Sequence, residues 1–300
     1  MRAFYSDVFV LPLPAGHRFP MAKYAGLRER VLAEGVLRPE DLHLPDAASD
    51  EQILRAHDLD YLYRVQNGLL TAKEIRRIGF PWSPEMVERS RRSAGATIAA
   101  CRAAFEDGVS VNLAGGTHHA FRDHGEGYCV FNDSAIAARA MQAEGRARRI
   151  VILDCDVHQG NGTASILEDD RTVFTFSVHG AKNFPFHKER SDLDVELPDG
   201  ADDDVYLAAV EEGSRRALAQ AGADIAIFLA GADPYSGDRL GRMNVSMAGL
   251  AERDRIVLGL CREAGLPVVV TMAGGYARDV DDIVAIHVQT VRTAASHAKK

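Results

Sequence analysis

Cysteine is scarce in this 300-residue sequence, and the four present, Cys101, Cys129, Cys155 and Cys261, stand far apart with no CxxC pair among them. That spacing excludes a zinc ribbon and a disulfide framework. It leaves the four the role of small buried apolar side chains, with a reducing cytoplasm as the expected compartment. Long apolar runs are also missing. No stretch approaches the roughly 20 consecutive apolar residues that cross a bilayer, and the opening MRAFYSDVFVLPL is too acidic, and its apolar run too short, for a secretory signal. Basic charge is in deficit, with 35 Lys and Arg against 43 Asp and Glu for a formal charge of -8. This is opposite in sign to a surface that gathers phosphates, so nucleic acid is not an expected partner. With 46% hydrophobic and 26% charged residues the composition excludes disorder and collagen. Internal repeats, low-complexity tracts and Gly/Ser linkers are absent, so residues 1–300 are expected to form one domain.

What is present is an alternation of short β-branched runs with longer helical segments, the pattern of a parallel sheet with crossover helices on both faces. Strands are expected at 109–113, 149–154, 172–178, 224–230 and 267–272, with helices such as 84–107 and 203–221 between them. Runs such as IVIL, IAIFLA and VVVTM suit strands covered on both sides. The part up to about residue 106 reads as mostly helical and polar, folding over the sheet. The polar stretch 191–204 reads as a surface loop leading into a helix. The expected fold class is therefore α/β, a three-layer α/β/α domain around a mainly parallel sheet.

Each expected strand runs directly into Gly, His, Asp or Tyr, in NLAGGTHH, ILDCDVHQGNG, FSVHG, FLAGADPYSGD and TMAGGY. In a parallel sheet the strand C-termini share one edge, so these pieces are expected to build one site there. Asp154, Asp156 and His158 alternate along an extended strand end and so face one side, and Asp233 adds a carboxylate from another strand. Two carboxylates and an imidazole form a three-ligand site with open positions, as catalytic zinc requires. A single aspartate after a strand would more often be a helix cap; the cluster with a histidine is not explained that way. The adjacent His118 and His119, following two glycines, suit proton transfer. Tyr276, after a second glycine pair, offers a phenol to a developing oxyanion.

At these residues the sequence resembles the histone deacetylase and acetylpolyamine amidohydrolase family, on the arginase-deacetylase fold. GGTHHAFRDHGEGYCVFND, LDCDVHQGNGT, AGADPYSGDRLG and AGGY stand in the family's order across nearly the whole chain. The short chain, the GHRFPMAKY opening and the HQGNG form resemble its compact bacterial members and class IV relatives. The resemblance implies zinc, with Fe²⁺ as the other suitable ion, held by Asp156, His158 and Asp233. It implies His119 as the base that takes a proton from water, and His118, supported by Asp154, as the group that protonates the amine. Asn161 would partner His119 where several family branches carry aspartate, and Tyr276 would hydrogen-bond the substrate carbonyl. Gly127, Tyr128, Phe184 and Gly274 would line a narrow acyl-lysine tunnel, with Arg18 near its inner end. His57 and Tyr61, in HDLDYLYRV, read as structural. A potassium ion is implied near Asp154, Asp156, His158, Ser177 and Val178, largely through backbone carbonyls.

The function so implied is hydrolysis of N-acyl amides, first of all acyl-lysine in proteins or peptides. Acetylpolyamines and long-chain acyl-lysine are alternatives within the class. A binuclear manganese ureohydrolase would want a metal-bridging carboxylate where HQGNG places amides and glycines. A non-catalytic acyl-ligand-binding homologue would be expected to have lost a ligand or the tyrosine, and every one of these positions is filled.

Overall fold

The structure is a computed structural model and describes residues 1–299. Its sheet has eight strands, β1 (Ala3–Phe4), β2 (Leu42–His43), β3 (Val109–Asn112), β4 (Ile150–Asp154), β5 (Val173–Gly180), β6 (Leu193–Leu197), β7 (Ile225–Leu229) and β8 (Val268–Thr271). They lie in the order β2-β1-β3-β8-β7-β4-β5-β6, and every pairing is parallel.

The side-chain period of two divides each central strand between two cores. Val151, Leu153, Ala226, Phe228, Val268 and Val270 pack on one face, with the helices Asp203–Ala221, Met247–Glu263 and Val280–His297. Ile150, Ile152, Ile225, Ile227, Leu229 and Val269 pack on the other, with Pro84–Asp107 and Asp133–Ala143. Three layers result, because strands apolar on both faces must be covered on both. Local chemistry sets the helix ends. Ser83 Oγ accepts the Met86 N–H and Pro84 opens the long helix, while Asp202 caps Asp203–Ala221 through the Val205 N–H.

After β3 the chain crosses to β4, and β7 and β8 later fill the gap between them. The segments following β3, β4, β7 and β8 therefore emerge side by side at the sheet's C-terminal edge, where the strand order reverses.

Two expectations need correction. The stretch 191–204 is not simply a loop, because Leu193–Leu197 forms edge strand β6 against β5. Its LDVEL sequence is half exposed and acidic, so it lacks the apolar run that marks the central strands. The N-terminal part is helical as expected, but it also supplies the two-residue strands β1 and β2 at one end of the sheet, too short to carry a periodicity. All four cysteines are buried and free.

His57 and Tyr61 brace the segment that leads into the helix Asp133–Ala143. The Tyr61 hydroxyl donates to the Val130 carbonyl at 2.8 Å, and His57 Nε2 accepts the Asn132 N–H at 2.9 Å. Burial holds the His57 imidazole down at about 4. Its folded value lies below the ordinary value of about 6.5, so the folded state binds fewer protons than the unfolded one between these limits. Stability is therefore expected to fall as pH drops from about 6.5 towards 4. Urea midpoints followed from pH 7 to pH 5 should decline more steeply for the wild type than for His57→Gln, and equal slopes would contradict this assignment.

Candidate active site

The GGTHH turn after β3 is fixed from beneath by one carboxylate. Asp133 Oδ2 accepts the Gly116 N–H at 3.0 Å and the Thr97 hydroxyl at 2.6 Å; Oδ1 accepts the Thr117 N–H and hydroxyl, both at 2.7 Å. Asn132 reaches the same turn, donating to the carbonyls of His118 and Ala120. Four donors on one buried carboxylate leave the backbone little freedom, so His118 and His119 are held facing the ends of β4 and β7.

The two rings are held differently. His118 Nδ1 lies 2.7 Å from Asp154 Oδ2. His119 Nδ1 lies 2.7 Å from Asn161 Oδ1, and Asn161 Nδ2 donates to Glu126 Oε2 at 3.2 Å. Because an amide oxygen only accepts, His119 carries its proton on Nδ1 and leaves Nε2 free. Burial works to lower the His118 pKa, but the charges of Asp154 and Asp156 outweigh it and raise it to about 9. His119 has no such partner, and burial, with the neighbouring charges of His118 and His158, drives it well below the usual histidine value. Two adjacent imidazoles are thus pushed in opposite directions.

Beyond β4, Asp156 and His158 meet Asp233 from the segment after β7. One ligand atom from each lies within 4.8 Å of the others, and all three residues are buried. His158 Nδ1 is 3.0 Å from Asp156 Oδ1 and 3.2 Å from Asp233 Oδ2. Burial opposes protonation of His158, yet the two carboxylates raise it to about 10. Asp233 rises to about 7 because it is buried, with the charge of Asp156 adding to this. Its Oδ1 accepts the Val157 N–H at 2.9 Å, while Oδ2 has no aligned hydrogen-bond partner among the described residues. A buried carboxylate oxygen without a donor, beside a second carboxylate and an imidazole, fits a divalent cation that takes oxygen and nitrogen ligands. The group could hold a metal.

Gly274, after β8, closes this cluster. Its N–H donates to Asp156 Oδ2 at 2.8 Å, and a Cβ at this position would collide with Asp233 Oδ2 and come within 2.6 Å of Asp156 Oδ2. Tyr276 follows, its N–H on Asp238 Oδ2 and its carbonyl accepting from Arg239 Nε at 2.9 Å. Burial, with the charges of Asp233 and Asp156, holds the phenol well above its usual pKa, so it stays a proton donor.

A cavity of about 530 Å³ leads down to His119, His158 and Tyr276. Phe184 stands edge-on to the His119 ring, centroids 4.9 Å apart, across from Gly127 and Tyr128. Gly127 has φ +55°, and a Cβ there would lie 2.6 Å from His119 Cδ2, so only glycine lets this wall pass the imidazole. Tyr128 packs its ring 5.8 Å from that of Tyr276.

The structure thus brings together Asp154, Asp156, His158, Asp233, His118, His119, Asn161, Tyr276, Gly127, Tyr128, Phe184 and Gly274. Asp154 stands apart from the three-residue group, turned to His118. Ser177 is the register partner of Asp154 on β5, its hydroxyl 2.9 Å from His179 Nδ1, and Val178 is buried beside it. Arg18 is not at the inner end of the cavity, because its side chain is exposed and lines a separate cleft with Arg239. The cation behind the tyrosine is Lys23. It is 2% exposed, its Nζ 3.3 Å from the Gly275 carbonyl and 5.4 Å from the Tyr276 ring centroid. GHRFPMAKY contains both residues; which one turns inward depends on the helix Ala22–Ala33 starting between them.

The chain matches the histone deacetylase domain over residues 17–291, and it belongs to that family. It is 45% identical over 283 residues to an uncharacterized protein of Picosynechococcus sp., covering 94% of each chain. It is 29% identical over 284 residues to the histone deacetylase-like amidohydrolase of Pseudomonas aeruginosa, covering 89% of this chain and 74% of that protein. Among solved structures, an HDAC homolog complexed with SAHA superposes with a TM-score of 0.84 at 22% identity, covering 98% of this chain and 83% of the other. The fold is the arginase-deacetylase fold, and at family level the protein is an amidohydrolase of the histone deacetylase type.

Gly274→Ala should give a folded protein that retains far less metal after dialysis than the wild type, measured by elemental analysis. Equal metal content would show that Asp156 and Asp233 do not meet an ion beside Gly274.

Proposed function

We propose that this chain is a zinc-dependent amidohydrolase that removes the acyl group from acyl-lysine in peptides or proteins, with residues 1–300 acting as one catalytic domain. The observation that carries the reading is the convergence of Asp156, His158 and Asp233 on a small inner cavity of about 40 Å³ whose walls also present the imidazoles of His118 and His119 and the phenol of Tyr276. Zinc held there would polarise the amide carbonyl and make hydroxide available near neutral pH. Iron(II) suits the same donors. The expected potassium would lie where the ends of β4 and β5 pair Asp154 with Ser177.

The rest is the work of the side chains. Gly127, Tyr128 and Phe184 form a channel that admits an extended acyl-lysine side chain and excludes water from around it. His119, neutral and anchored through Nδ1 on Asn161, offers Nε2 to take the proton of the attacking water. His118, held against the Asp154 carboxylate, keeps a proton for the amine as the C–N bond breaks. Tyr276 donates its hydroxyl proton to the oxygen on which negative charge develops. The backbone bonds to Asp238 and Arg239 fix the segment that carries this phenol.

Release of free lysine peptide from an acetyl-lysine peptide, followed by mass spectrometry, tests the reading. Tyr276→Phe should keep the wild-type unfolding midpoint and lose roughly 10²- to 10³-fold in turnover, as expected for one oxyanion donor. Near-normal turnover by this variant would remove Tyr276 from the chemistry.

A further inference from the structure

The mouth of the cavity carries a charge opposite to that of the chain. Formal charge over the whole sequence is -8, yet the residues lining the entrance include Arg76, Arg77, Lys182 and Arg242 against a single carboxylate, Glu126. All four cations are exposed. Among the described residues Arg76, Arg77 and Lys182 take part in no ion pair, and Arg242 has only an exposed contact with Asp199 at 3.3 Å. Glu126 faces inward, where its Oε2 accepts from Asn161, so it does not neutralise the rim.

Arg76 and Arg77 have a local use as well. They stand in the last turn of the helix Ala72–Ile78, where basic residues complement the helix dipole. That use does not account for Lys182, on the loop after β5, or for Arg242, on the segment after β7. Three segments remote in sequence bring positive charge to one opening. The Lys182 loop is also pinned: Lys188 Nζ donates to the carbonyls of Asn183 and Pro185, and the Glu189 N–H donates to Gln159. Beside it Phe186 is 79% exposed, an aromatic face standing free at the rim.

We infer that this rim selects acyl-lysine set among acidic residues, with Asp or Glu side chains on either side of the modified lysine resting against Arg76, Arg77, Lys182 and Arg242. The inference rests on the proposed acyl-lysine hydrolysis and names the sequence context of its substrate. Acylation removes the lysine's own charge, and this sets the direction of choice. An acylated lysine is neutral, so its flanking residues supply the only charge a peptide presents to the rim. An acylated polyamine keeps its other ammonium groups, which would lie among four cations and be repelled. Like-charge contact disfavours that substrate, while opposite charge raises the encounter rate of an acidic peptide, more so at low salt.

The test compares three acetyl-lysine peptides of equal length, flanked by Glu, by Ser and by Lys, together with N-acetylspermidine. The zinc-loaded protein is assayed for kcat/KM, and binding of the fluorescently labelled peptides is measured by anisotropy. The Glu-flanked peptide should exceed the Lys-flanked one by roughly ten-fold at low ionic strength, narrowing as salt is added. Arg76→Glu with Arg77→Glu, and separately Lys182→Glu, should shrink or reverse the ratio. Two variants on different surface segments guard against a local folding fault. Equal kcat/KM and equal binding across the peptides, or preference for N-acetylspermidine, would overturn the inference and leave amide hydrolysis standing. Charge-dependent binding without turnover of any peptide would support the rim's selectivity and overturn the proposed lysine deacylation.

Discussion

Two carboxylates, Asp156 and Asp233, are buried within reach of one imidazole at the C-terminal edge of the sheet. Burying like charges together is costly, several kcal/mol per ion even after relaxation, and most of the local structure reads as compensation for it. Asp156 accepts from the backbone of His158 and Gly274, and Asp233 accepts from Val157. Those backbone donors come from the segments after β4 and β8, so the parallel order that sets these strands near one another also supplies the hydrogen bonds. The remaining oxygen of Asp233 has no such donor among the described residues and could meet a cation. Gly274 follows from the same constraint, since no larger residue fits against the two carboxylates.

The histidine pair follows from the adjoining turn. Two neighbouring side chains of the same type would ordinarily titrate alike. Here one is set on a carboxylate and the other on an amide, and the difference begins with Asp133 holding the turn so that His118 reaches Asp154 and His119 reaches Asn161. A protonated imidazole beside a neutral one is what bond cleavage to a poor amine leaving group asks for, a donor and an acceptor in one place.

Much of this is legible in the sequence because strand and chemistry are contiguous there. ILDCDVHQGNG is a buried strand followed at once by its polar residues, so the residue order shows both where the chain turns and what it carries. The central strands β4, β7 and β8 are readable for the same reason, as nearly continuous apolar runs, and β3 and β5 as runs rich in Val and Phe with small polar residues between. Edge strand β6 was not, because its LDVEL sequence alternates half-exposed residues with acids like the loops around it. Arg18 and Lys23 lie five residues apart in one motif, and only the start of a helix turns Lys23 inward and leaves Arg18 outside. The contact of Asn161 with Glu126 and the grouping of Arg76, Lys182 and Arg242 join segments with no shared pattern. A net charge of -8 conceals the latter, since a sum over the surface says nothing about one opening.

In the proposed function, an ion held by Asp156, His158 and Asp233 makes the protein an amide hydrolase. Titration of zinc into chelator-stripped, folded protein, with acetyl-lysine peptide hydrolysis read at each addition, tests this directly. Activity should be absent at the start, rise linearly and level off at one equivalent, and the same titration of Asp233→Ala should stay flat. Full activity in the stripped protein, or a rise in Asp233→Ala that matches the wild type, would contradict it.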